Sequence, residues 1–367
     1  LEVFKLAGKT WAADYDRTSG RLAVTNDEVG IVVYDIDETA GGRAGPVGAL
    51  PTEGLPTAVC FKPISQRRLL VAAGNKRPKA EVFDADKFEK AGEVPIPDAK
   101  FLDYLSGNPN PDDPHVYYST QRYDQDASRQ LKPEQLGRIN MKSLEAKTIP
   151  VFVGEPGRQT AVEAAAILFS DQGEMLYLRS SHSTTACLIF ETNAEGTDVP
   201  VFRGQGPESP SCAVGTNGQL VSAGRFVFDR YFSFQLAYAD FDVEAFSLSR
   251  PLMAGFTGDS LAFGSTNDFR TLASIPLPGD CLASQGIRDD FRMLPRGRPE
   301  LKAAFVKVFV DEARDLVIGV LPDHLLAAPL ARLDLPAEKS ITVTKRLPAK
   351  AYVNEPISFE LETEAED

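Results

Sequence analysis

The chain has 367 residues, 43% of them hydrophobic, with 28 glycines and 26 prolines spread along its whole length. That composition supports a large packed core built from many short strands and turns, and it excludes a disordered chain or a bundle of long helices. A net charge of −13 gives a field that repels phosphate backbones and anionic lipid surfaces, so no nucleic acid is expected as a partner. No apolar run reaches 18 residues, so no transmembrane segment is expected either.

Taken from the N-terminus, the sequence repeats one unit: an apolar strand, a polar turn, a Leu/Val-rich strand, a loop, and a strand ending in an acidic or amide residue. The Leu/Val-rich strand is anchored at Leu22, Leu69, Val116, Leu176, Leu220, Leu272 and Leu316, with spacings of 47, 47, 60, 44, 52 and 44 residues. Such periods, with strand-like composition, predict the four-stranded blades of a propeller rather than a helical solenoid. The fold class expected is all-β: seven four-stranded antiparallel blades.

Hairpin turns at Asp16–Gly20, Ser170–Gly173, Thr216–Gly218 and Asp311–Asp315 join the first and second strands. The third strand follows at Ile31–Asp35, Ala80–Asp84, Gly137–Asn140, Leu188–Glu191 and Ala331–Asp334, its final polar side chain expected to accept hydrogen bonds in the next turn.

Arg21-Leu22-Ala23-Val24-Thr25-Asn26 resembles the strand ending in Tyr-Val-Thr-Asn of the bacterial YVTN-type propeller repeats, relatives of WD-repeat and lactonase-like propellers. Ile31–Asp35 resembles that family's next strand, and Pro56–Pro63 the opening of its next blade. Leu69–Ala72, Asn75 and Glu81–Asp84 repeat the pattern, so the resemblance covers residues 20–95. It implies a fold and no particular reaction, because such propellers serve unrelated functions.

Leu1–Gly8 stands before the first blade as Val199–Gly204 stands before the fifth, and both read as the outer strand of the preceding blade. The N-terminal strand is therefore expected to complete the seventh blade and close the ring; Ile341–Lys345 competes for the place. The propeller is expected over residues 1–336 and a short β tail over 337–367, in which Val353–Leu361 resembles the opening of a bacterial immunoglobulin-like module. A start at Leu1 rather than Met fits a processed or excised piece of a larger extracytoplasmic protein.

Loops between second and third strands, and between blades, gather on one face around the channel and are the usual place for ligands. The candidate ligand-binding residues there are His182, His324, Asp27, Asp280 and Asp323, since a neutral imidazole beside carboxylates can act as a base or ligand. The polar insertion Thr120–Leu136 and the aromatic run Arg225–Phe234 are candidate contact surfaces, the latter also readable as core.

Cys60, Cys187, Cys212 and Cys281 form no Cys-x-x-Cys pair, so free thiols and no metal are expected. Gly258–Ala262 is a near miss to the Gly-x-Ser-x-Gly elbow and reads as the opening of a blade, not a nucleophile. No cofactor motif and no catalytic constellation emerges. The sequence reads as a non-enzymatic scaffold for a protein or small-molecule ligand, the alternative being a lactonase-like hydrolase using His182 and His324 at the channel mouth.

Overall fold

A strand packed between two neighbouring sheets must be apolar on both faces, and the middle strands of this chain meet that condition. Leu22 and Val24 are buried on one face of their strand, with Val32 and Tyr34 of the next; Ala23, Ile31 and Val33 are buried on the other. The computed structural model describes residues 2–6, 8–36, 46–65, 67–74, 79–96, 101–121, 135–150, 152–153, 160–161, 164–180, 186–191, 202–205, 212–215, 219–232, 235–257, 259–281 and 307–333. The chain divides into two units, Leu1–Leu333 and Asp334–Asp367. The expected tail, including the strand Ile341–Lys345 and the immunoglobulin-like opening Val353–Leu361, lies outside the described residues.

Seven four-stranded antiparallel sheets follow one another, each running from its inner to its outer strand. Blade one is Ala13–Asp16, Arg21–Asn26, Gly30–Asp35 and Pro46–Leu50; blade two is Pro56–Ile64, Arg67–Gly74, Lys79–Asp84 and Glu89–Pro95. Blade three is Phe101–Gly107, His115–Gln121, Gln135–Asn140 and Glu145–Pro150; blade four is Ala164–Phe169, Met175–Ser180, Ala186–Glu191 and Phe202–Gln205. Blade five is Cys212–Val214, Leu220–Ala223, Phe226–Asp229 and Gln235–Tyr238; blade six is Asp242–Phe246, Leu252–Phe256, Ser260–Ser265 and Thr271–Pro276. Blade seven takes Lys307–Asp311, Leu316–Val320 and His324–Pro329 from one end of the chain and Glu2–Lys5 from the other.

The protein is thus an all-β, seven-bladed propeller closed by its N-terminal strand. Glu2 pairs with Ala327 and Lys5 with His324, while Leu6 is buried in the apolar cluster shared by blades seven and one. Three elements stand elsewhere than the sequence pattern predicts. Leu272 lies in the outer strand of blade six, whose second strand is Leu252–Phe256, and Ser260 opens that blade's third strand rather than the blade. In blade seven the third strand is His324–Pro329, and Ala331 falls in a 3-10 turn over Leu330–Arg332. The largely exposed outer strand of blade six carries, at Leu272, the apolar residue expected of a second strand, and the third strand of blade seven ends in Pro329 rather than in an acidic residue.

The polar residue ending the third strand does cap the following turn. Asp84 Oδ1 accepts from the N–H of Asp86 and of Lys87 at 3.0 Å each, and Asn140 Oδ1 from Lys142 at 2.9 Å and Ser143 at 3.3 Å. Each turn then holds an apolar residue in the left-handed region, Phe88 at φ 54° and Leu144 at φ 58°. Those side chains lie back over Gly48 and Gly92, in the outer strand of the preceding blade. This turn device links neighbouring blades at their rims, and bare composition gave no sign of it.

Candidate functional site

The loops joining second to third strands and the crossovers between blades share one face. The Thr-Asn signature of blade one organises its part. Thr25 Oγ1 accepts from the N–H of Trp11 at 3.0 Å and of Ala12 at 2.8 Å, and Asn26 Oδ1 from Glu28 at 2.8 Å and Val29 at 3.0 Å. Asp27 Oδ1 accepts from the Lys9 N–H at 2.8 Å, so this candidate carboxylate helps hold the crossover into blade one.

At blade seven three of the candidates meet. Leu325 faces the core shared with blade one, so strand alternation turns His324 and Leu326 to the other face. Leu326 there packs with Gly319, itself 3.3 Å from Phe256 of blade six if given a Cβ. His324, 3% exposed, has its Nδ1 2.8 Å from Asp323 Oδ1 and its Nε2 3.4 Å from Asp280 Oδ2. Asp280 comes from the crossover between blades six and seven, which is fastened by the bonds from Leu277 N–H to Asp259 O at 2.9 Å and from Cys281 N–H to Pro278 O at 3.0 Å.

Cys281 is the residue the sequence did not offer for this site. It is fully buried, and its thiol is pushed up to about 11 by that burial first and then by the charges of Asp280 and Asp323. Near neutral pH it is therefore a thiol, a poor nucleophile. One carboxylate of Asp280, the Cys281 sulfur and one ring nitrogen of His324 lie within 4.8 Å of one another. The sole early sign was the adjacency Asp280-Cys281; only the fold brings His324 beside it. His182, along with most of Thr120–Leu136, lies outside the described residues.

The opposite face carries a second histidine in a different setting. His115 Nδ1 is 2.6 Å from Asp113 Oδ1, and Asn108 Nδ2 donates to Asp113 Oδ2 at 2.7 Å and to Gly173 O of blade four at 3.1 Å. Lys62 of blade two, wholly buried, donates from Nζ to Asn108 O at 2.6 Å and Asn110 O at 2.8 Å. Burial lowers its ammonium to about 8, against the opposing pull of Asp113. Ser260 is likewise engaged, its hydroxyl donating to Asp259 Oδ1 at 2.9 Å.

Blade five presents apolar surface. Tyr231, Leu236 and Tyr238 are 41%, 48% and 57% exposed, and the last two sit in its edge strand. That strand is bulged between the partners of Val227 and Phe228, which leaves Leu236 outside the register. The Tyr238 ring stands edge-on to Phe226 at 5.1 Å, and Phe228 stacks on Phe232 at 4.8 Å. The aromatic run thus divides between core and surface.

No family model matches the sequence, and no curated protein matches it. Solved structures do match: 1248 chains share the fold, too many to single out an activity. One of them belongs to the crystal structure of a mitotic checkpoint complex, with a TM-score of 0.61 over 89% of this chain and 93% of that chain, at 11% identity. The class defined by the fold is the seven-bladed β-propeller. At that identity the likeness is one of fold alone.

Proposed function

We propose that the protein is a non-enzymatic binding scaffold that holds a protein partner against the outer strand of blade five. The observation that carries this reading is the grouping of Tyr231, Leu236 and Tyr238, three of the four large exposed hydrophobic residues among those described. Aromatic side chains supply large contact area at low entropic cost, and a short, bulged edge offers them without inviting strand addition. The similar chain of the mitotic checkpoint complex belongs to a protein assembly, which is consistent with that role.

The Thr25-Asn26 signature and the resemblance of Val353–Leu361 to the opening of an immunoglobulin-like module support a further reading: a bacterial YVTN-type propeller within a larger extracytoplasmic protein.

Affinity capture from the source cells with the full chain and with a Leu236→Asp/Tyr238→Asp variant tests the contact surface. The expected result is a partner retained by the parent, cross-linked through blade five, and lost from a variant that melts at the same temperature. Identical captured sets from both proteins would refute it.

A further inference from the structure

We propose that Asp280, Cys281 and His324 bind one zinc-class divalent ion, which clips the crossover between blades six and seven onto blade seven.

The donor geometry comes first. His324 Nε2 and Asp280 Oδ2 are 3.4 Å apart, and ligands about 2.0–2.2 Å from a tetrahedral ion are separated by roughly that distance. The full set of donor atoms lies within 4.8 Å. Asp280, its side chain 70% exposed, is held beside the cysteine by its Oδ1, which accepts from the Cys281 N–H at 3.1 Å.

The imidazole is already oriented. A carboxylate only accepts, so Asp323 Oδ1 at 2.8 Å holds the proton on Nδ1 and turns the lone pair of Nε2 toward the Asp280–Cys281 pair. A carboxylate behind a ligating histidine is the usual support of a zinc site.

The donor chemistry selects the ion. Sulfur, imidazole nitrogen and one carboxylate suit zinc, cobalt and their neighbours, whereas calcium and magnesium take oxygen ligands. A thiolate and a carboxylate together balance a divalent charge. Among the described residues no lysine or arginine pairs with Asp280, in contrast to the lysine beside Asp113 on the other face.

The position gives the ion a purpose. His324 stands opposite Lys5 of the closing strand, and the Asp323 carbonyl accepts from the Leu6 N–H at 2.8 Å. An ion held here joins the crossover to the strand on which ring closure depends. Cys281 and His324 are buried while Asp280 reaches solvent, which supplies an entry path.

The test is titration of the chelator-stripped full chain with cobalt(II) alone, followed by absorption, with melting recorded before and after adding zinc. The expected outcome is one equivalent bound, a thiolate-to-cobalt band in the near ultraviolet, displacement by zinc and a higher melting temperature. Cys281→Ser removes the band, and Asp323→Asn weakens binding about 10- to 100-fold. Asp280→Ala, altering a largely exposed side chain, weakens it at least tenfold while leaving the fold intact. Absence of cobalt binding, a band that persists in Cys281→Ser through the other cysteines, or unchanged affinity in Asp280→Ala would each overturn the proposal.

Discussion

Two of the three histidines lean on an aspartate one or two residues away, and the two pairs are built for different ends. Around His115 the acid is answered: Asp113 takes bonds from His115 and Asn108, and the buried Lys62 supplies positive charge while tying Asn108 and Asn110 to blade two. Around His324 the acid is multiplied: Asp323 lies behind the ring, Asp280 in front of it, and a buried thiol alongside. The same local motif is structural where a lysine balances it and receptive to a cation where carboxylate and sulfur converge. Counter-charge, not the histidine, separates the two regions.

The largest effect is expected at the closure beside His324. Deleting residues 1–8 removes four paired residues of the edge strand and the buried Leu6, with Phe4 packed on the same cluster. The loss is roughly 4 kcal/mol or more, from apolar burial alone. Denaturant melts of the full and shortened chains measure it, and unchanged midpoints would mean that the ring closes some other way.

Next comes the balanced region. Lys62→Met leaves the buried Asn108 carbonyl and the partly buried Asn110 carbonyl without their donor and Asp113 without its nearby cation, a cost of about 3 kcal/mol. The lysine also sets a pH dependence. Its folded value of about 8 lies below the ordinary 10.5, so the unfolded chain binds more protons between those values and stability rises as pH increases through that window. The parent should therefore gain on the order of 3 kcal/mol across pH 8 to 10.5, and Lys62→Met should lack that rise. Equal slopes in the two proteins would remove Lys62 from the account.

Gly173→Ala probes the same network from blade four. Gly173 has φ +72°, and a Cβ there would stand 1.8 Å from Asn108 Oδ1, so strain and clash together cost about 2 kcal/mol. The smallest effect on stability is expected from Leu236→Asp/Tyr238→Asp, within about 0.5 kcal/mol because both side chains are exposed, while partner binding is lost.

Much of the ring was legible because blades impose a period and end their third strands in capping residues such as Asp84 and Asn140. Rank within a blade is harder to read: Leu272 has the apolar character of a second strand yet lies in an exposed outer one, and Ala331, near an acidic residue as third-strand ends are, falls in a 3-10 turn. His324, Asp323 and Asp280 were readable as loop-face polar residues. Cys281 was not, because its 43-residue separation from His324 matches no short ligand spacing, and a propeller joins such positions only through the crossover between blades. Lys62 is hard to read in the sequence for a related reason: a lysine in an apolar strand is informative only once its carbonyl partners, 46 and 48 residues away, are known.

The most direct test of the contrast between the two histidines is the zinc-induced rise in melting temperature, measured in His115→Gln and His324→Gln beside the parent. The account predicts that His115→Gln, though less stable, retains the full rise and that His324→Gln loses it. A rise kept by both variants, or lost by both, would contradict it.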